Sequence, residues 1–147
     1  MGRTILLGYD DGDPARRALE RAVIELRRQG GKLVVLSVLD LPLDPSAPRA
    51  YGTPGDGPPA RGPFGEPPEV AEMIGAARRR LRALDAPAEY VWAAGEPGQI
   101  IVDVAERSGA DLVVVGSHHH GFLANLFGAD VGAEVSKRAG CEVILVE

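Results

Sequence analysis

Five short apolar runs, none of them alternating with polar residues, constrain this chain more than any other feature. They are TILLGY (4–9), KLVVLSVL (32–39), AEYVWA (88–93), DLVVVG (111–116) and EVILV (142–146). A strand with one wet face alternates apolar and polar positions, whereas a continuous run needs cover on both faces, as in a parallel sheet between two helical layers. The stretches between the runs have helical period. The first has Asp13 as N-cap and Pro14 at the first helical position, then Ala18, Leu19, Ala22, Val23 and Leu26 on one face, and it ends at Gly30-Gly31. The second carries Val70, Met73, Ile74, Ala77, Leu81 and Leu84 and stops before Pro87. The third opens at Glu96-Pro97, turns Ile100, Ile101, Val104 and Ala105 inward, and is capped by Gly109. A fourth is expected over 129–139, with Val131 and Val135 inward, Lys137 and Arg138 in its last turn and Gly140 beyond. A length of 147 residues suits one core and is short for two. The prediction is a single α/β domain over 1–147: a doubly wound five-stranded parallel sheet in three α/β/α layers with right-handed crossovers.

Residues 40–68 break the alternation, because nine of the twelve prolines fall there. Proline removes a backbone donor and fixes φ, so the segment is expected to form a loop or flap after strand two, with a lid role as its functional reading. The net charge is −5 and the arginines are spread along helices rather than gathered into a run, so no nucleic-acid partner is expected. Cys141 has no second cysteine to pair with, and its apolar surroundings suit an inert buried thiol. No segment approaches the ~20 apolar residues of a membrane span, and the N-terminal apolar run is too short for a signal peptide, so a cytoplasmic protein is expected with no membrane partner.

In open α/β sheets a ligand sits outside the carboxyl ends of the strands that flank the reversal of strand order. For the order 3-2-1-4-5 those are strands one and four, ending in Gly8, Tyr9 and Asp10 and in Val115, Gly116 and Ser117. Asp10 is the polar candidate there, with a turn-forming role in DDGDP as its structural alternative. Three separated segments, ILLGYDDGDPARRAL, GEPGQIIVDVAERSGADLVVVGSHHHG and VSKRAGCEVILV, resemble the start, middle and end of a universal stress protein. The resemblance covers nearly the whole chain apart from the proline-rich loop. It implies the same fold with strand order 3-2-1-4-5, dimerisation through the last strands and, in many members, binding of ATP or AMP. It also assigns nucleotide contacts to Asp10, Val38, Gly116 and Val131.

The nucleotide-binding members share a signature of glycine, two residues, glycine, nine residues, glycine, then serine or threonine. Here the four positions read Gly116, His119, Ala129 and Asp130, so one of the four is kept. A glycine lets the backbone approach a phosphate, and histidine at 119 obstructs this. A carboxylate at 130 about 4 Å from a phosphate would cost about 4 kcal/mol at an effective dielectric near 20, roughly a thousandfold in affinity. A bridging magnesium ion would reverse that sign. Asp130 also suits the N-cap of the fourth helix, where its carboxylate takes the N–H groups a phosphate would use. The expectation is a protein without tight ATP binding and without a resident cofactor; ATP or AMP with Mg²⁺ is the alternative that the family implies.

His118, His119 and His120 are consecutive, so their side chains diverge, and no Cys/His cluster elsewhere completes a zinc set; no metal site is expected. Ser117 lacks the nucleophile elbow because His119 holds the place of its last glycine, and Cys141 has no activating partner, so no catalytic residue is assigned. The final run, CEVILVE, lies at a sheet edge and is apolar enough to invite a second chain, which predicts a homodimer through residues 142–147. Taken together, the residues and the resemblance predict a dimeric binding or signalling module, or alternatively a member whose ATP or AMP occupancy regulates partner binding.

Overall fold

A computed structural model describes residues 3–40, 50–52, 68–95, 97–116 and 141–146. The elements run β1 (Arg3–Gly8), α1 (Asp13–Gln29), β2 (Gly31–Asp40), β3 (Ala50–Gly52), α2 (Pro68–Ala83), β4 (Glu89–Gly95), α3 (Pro97–Ser108), β5 (Leu112–Gly116) and β6 (Glu142–Val146). They form one sheet in the order β3-β4-β2-β1-β5-β6. Its five parallel strands, β4-β2-β1-β5-β6, are the third, second, first, fourth and fifth apolar runs of the sequence, so the predicted order 3-2-1-4-5 is the observed one. The expected fourth helix over 129–139 lies outside the described residues.

The continuous apolar runs are explained by cover on both faces. Ile5, Leu7, Leu33, Val35, Leu112 and Val114 point to the layer of α1 and α2. Leu6, Val34, Leu36, Val38, Val113 and Val115 point to α3, where Ile100, Ile101 and Val104 meet them. Successive strand residues therefore enter different cores. A smaller cluster of Val70, Ile74 and Trp92 seats α2 on β4. No helix among the described residues is long and apolar enough to cross a membrane.

Two expectations need correction. The N-cap of α1 is Gly12, with φ −74° and ψ 166°, and Asp13 lies inside the first turn; no side chain caps this end. The carboxylate of Asp13 still complements the positive end of the helix dipole and lies 3.5 Å from Arg16. The proline-rich segment, read as loop or flap, contributes β3, which pairs antiparallel with β4 through Ala50↔Ala94, Tyr51↔Ala93 and Gly52↔Trp92. Those three residues occupy the proline-free interval between Pro48 and Pro54, where each N–H remains available to a partner strand.

The return from α1 into β2 depends on two glycines. Gly30 ends the helix at φ 71° with its N–H on the Leu26 carbonyl, 2.8 Å away. Gly31 follows at φ 110°, opposite Arg3 in the β1–β2 register, and a Cβ there would lie 1.8 Å from the Arg3 carbonyl oxygen. The entry of the chain into its second strand thus tolerates no side chain. Gly31→Ala is expected to destabilise the fold by about 2–4 kcal/mol, combining left-handed strain with a backbone clash; urea unfolding of the variant beside Gly30→Ala, where a Cβ meets open space, checks it.

Candidate nucleotide site

The site is built where β1 and β5 end side by side. They pair from Ile5↔Leu112 to Gly8↔Val115, with β2 on the far side of β1 and β6 on the far side of β5. Helix α1, which follows β1, and helix α3, which precedes β5, cover opposite faces of the sheet, the change of face that marks the reversal of strand order where a ligand crevice is expected.

Strand one stays zipped to strand two beyond its last ladder residue. The Tyr9 N–H donates to the Leu36 carbonyl at 2.9 Å, and the buried Ser37 hydroxyl donates to the Tyr9 carbonyl at 3.0 Å. The chain therefore emerges at Asp10 alongside the end of β2, where Val38 is buried in the α3-side core. Asp10 is half-buried, and its Oδ1 accepts the Gly12 N–H at 2.9 Å. This is the turn-forming role read as its structural alternative, and it sets the approach to the N-terminus of α1.

Gly116 closes the other side. A Cβ on it would lie 2.6 Å from the Pro14 carbonyl carbon and 2.7 Å from the Ala15 nitrogen, so the end of β5 sits flush against the first turn of α1. The one kept signature glycine thus has a packing reason of its own. Of the other residues named from sequence, Val131, His119, Ala129 and Asp130 lie outside the described residues, as do Ser117 and the histidine tract. Asp10, Val38 and Gly116 are brought to the same end of the sheet.

Sequence reasoning missed Tyr9 and Asp11. Tyr9 is fully buried between β1 and the α1/α2 layer, and its hydroxyl donates to Asp11 Oδ1 at 2.6 Å. Arg16 of α1 lies 3.4 Å from the same oxygen and Arg80 of α2 lies 4.0 Å from it. Asp11 holds this position in the left-handed region, φ 63°, which aspartate tolerates better than most side chains. Burial raises the Asp11 carboxyl, but the hydrogen bonds from Tyr9 and Arg16 and the charges of Arg16 and Arg80 outweigh it and hold it below the usual carboxylate value. For Tyr9, burial first and then the hydrogen bond and charge of Asp11 push the phenol up to about 12. The only sequence sign of this arrangement is a second acidic residue directly after Asp10.

Cys141 is buried, and burial followed by the charge of Asp111 raises its thiol pKa, so the thiol stays protonated near neutrality. Among the described residues no group of three or more His, Cys, Asp or Glu is placed to hold a metal ion.

The pH consequence follows from the sign of the Tyr9 shift. Its folded pKa lies above its unfolded value, so the contribution is complete below about pH 10 and is lost as pH rises through about 12. Tyr9→Phe removes a charge-assisted hydrogen bond and is expected to cost about 1.5–3 kcal/mol at pH 7, with the gap to the native chain narrowing above pH ~10. Denaturant midpoints of both proteins between about pH 7 and pH 11.5 provide the check; a gap that stays constant across this range contradicts the assignment.

The family model described as "Universal stress protein family" matches residues 1–147. A Thermus aquaticus protein described as "Universal stress protein in QAH/OAS sulfhydrylase 3'region" is 29% identical over 150 residues, covering 99% of each chain. Among solved structures, a universal stress protein in complex with cAMP superposes with a TM-score of 0.66 at 24% identity, over 99% of this chain and 97% of that one. The Archaeoglobus fulgidus universal stress protein in complex with dAMP gives a TM-score of 0.62 at 21% identity, over 100% of this chain and 98% of that one. The whole-length family match, on a sheet of the observed order, establishes that this chain belongs to the universal stress protein family.

Proposed function

We propose that this protein is a dimeric binding module whose crevice between β1 and β5 takes the adenosine end of a nucleotide and does not hold a triphosphate tightly. The observation that carries the reading is the convergence of Asp10, Val38 and Gly116 at one end of the sheet, in a chain whose remaining signature positions are His119, Ala129 and Asp130. Asp10 and Val38 offer polar and apolar groups suited to a nucleoside, while the sequence positions expected to cradle the outer phosphates carry an obstructing imidazole and a repelling carboxylate. The ligands named for two structural relatives, cAMP and dAMP, each carry one phosphate, which suits a site with a reduced cradle. Asp10, Val38, Gly116 and Val131 are the proposed contacts, and the protein's output is an altered surface for a partner rather than a chemical step.

Calorimetric titration of nucleotide-stripped protein with AMP, cAMP and ATP is the test. AMP or cAMP is expected to bind at least about tenfold more tightly than metal-free ATP, and Asp10→Ala is expected to weaken binding of all three ligands alike. Micromolar binding of metal-free ATP overturns the reading. Binding of ATP only with magnesium favours the alternative, in which Asp130 serves as a metal ligand and ATP occupancy regulates the partner surface.

The dimer rests on β6. This strand ends the sheet, Leu145 is 44% exposed, and Val143, Ile144 and Val146 are half-buried. Among the described residues no strand pairs with its outer edge, and such an edge is a template for pairing with its own copy about a two-fold axis. Light scattering is expected to give a dimer mass that Ile144→Lys shifts toward monomer; a native chain that is monomeric at every concentration tested contradicts the interface.

A further inference from the structure

The arginines that look dispersed in the sequence share one layer of the fold. Helices α1 and α2 cover the same face of the sheet, and together they carry nine arginines against five aspartates and glutamates. That gives this layer +4 in a chain whose net charge is −5, so the remaining residues carry −9. The two helices lie close enough for Arg27 of α1 to donate to the Leu84 carbonyl at the end of α2, and for Arg16 and Arg80 to approach Asp11 together. The outer surface of the layer presents Arg17, Arg28, Arg79 and Arg82, all exposed, and the Arg28 side chain is 69% accessible while lying 3.7 Å from the Glu25 carboxylate. On α1, between Arg17 and Arg28, stands Ile24, an apolar side chain 49% exposed.

We propose that the outer face of the α1/α2 layer is a docking surface for an acidic segment of a partner protein. Charge complementarity selects an anionic occupant, and the guanidinium fork matches a carboxylate in a bidentate geometry that a lysine-bearing surface would not provide. Three features favour polypeptide carboxylates over a nucleic-acid backbone. Five carboxylates are interleaved with the arginines on these helices and would repel a continuous phosphate strand. The other surfaces of the chain are net acidic and oppose the long-range approach of a polyanion. Helices α1 and α2 carry no aromatic side chain to stack on bases, whereas Ile24 offers an apolar anchor of the kind a peptide side chain fills. Helix α1 packs over β5 and β6, with Ile144 and Val146 against its cluster, whereas α2 packs over β2, so Arg79 and Arg82 stand on the part of the layer farther from a paired β6.

The probe is a fluorescently labelled peptide of about 12 residues in which glutamates flank a central leucine, titrated by anisotropy at low ionic strength. The native chain is expected to bind it, and Arg79→Glu/Arg82→Glu is expected to weaken binding at least about tenfold. Arg3→Glu/Lys32→Glu changes the net charge by the same amount on residues outside the layer and is expected to weaken binding less than about twofold. If the reversal of Arg79 and Arg82 prevents folding, Arg79→Gln/Arg82→Gln serves in its place, with a loss of about threefold. Equal losses in both pairs of variants, no binding at about 20 mM salt, or tighter binding of a single-stranded oligonucleotide than of the acidic peptide would each overturn the proposal.

Discussion

The structure depends on the need to pair every backbone group of β1 after it has been removed from water on both faces. Leu6 and Leu7 have no accessible surface, so their N–H and carbonyl groups have no solvent to fall back on. Parallel ladders to β2 and β5 supply the partners. The arrangement is locked at its start, where the Thr4 N–H donates to the Asp111 carboxylate at 2.9 Å and the Asp111 N–H donates to the Thr4 carbonyl at 2.8 Å. It is locked at its end by the Tyr9 and Ser37 bonds. Once β1 is fixed between two parallel neighbours, chain connectivity sends α1 and α3 to opposite faces, and the crevice follows from topology.

Much of this was legible in the sequence because burial on both faces leaves an unmistakable texture. Each of the five apolar runs became a strand with ends shifted by at most two residues, and KLVVLSVL lengthened to Gly31–Asp40. The helices were equally clear, since Ala18, Leu19, Ala22 and Val23 are buried as their spacing requires. The three residues of β3 were not legible, because their pairing is dictated by the outer side of β4 and not by any pattern of their own. The cap of α1 was misplaced by one residue for a related reason. DDGDP contains several acceptable caps, and Asp10 settled the choice by drawing the Gly12 N–H into its own turn.

The site shows the same division. Asp10 and Gly116 could be named from their places at strand ends, but the grip on Asp11 could not, since it joins residues of β1, α1 and α2 that only the fold brings together. Asp11 stands next to Asp10, so the turn that presents the candidate ligand contact is held from the other helical layer. Gly116 shows how a motif residue can answer to packing as well as to a ligand. A glycine kept at a signature position invites a functional explanation, yet here the backbone of Pro14 and Ala15 leaves no room for any side chain. The acidic and basic surfaces follow this pattern too, because charge segregation by layer cannot be read from a chain in which the two arginine-bearing helices are separated by β2 and the proline-rich segment.

The two margins of the sheet end differently. At one, β3 covers the upper part of β4, while Glu89 and the Arg78 guanidinium stacked 4.7 Å above the Tyr90 ring place charge along the lower part. At the other, β6 offers five residues of parallel-paired strand, four of them apolar. Strand addition is therefore favoured on one margin and hindered on the other. In the proposed dimer paired through β6, each copy would bring its β3 margin to an outer end of the continuous sheet. Three residues of a proline-rich insertion, bracketed by Pro48 and Pro54, would then form both margins of that sheet.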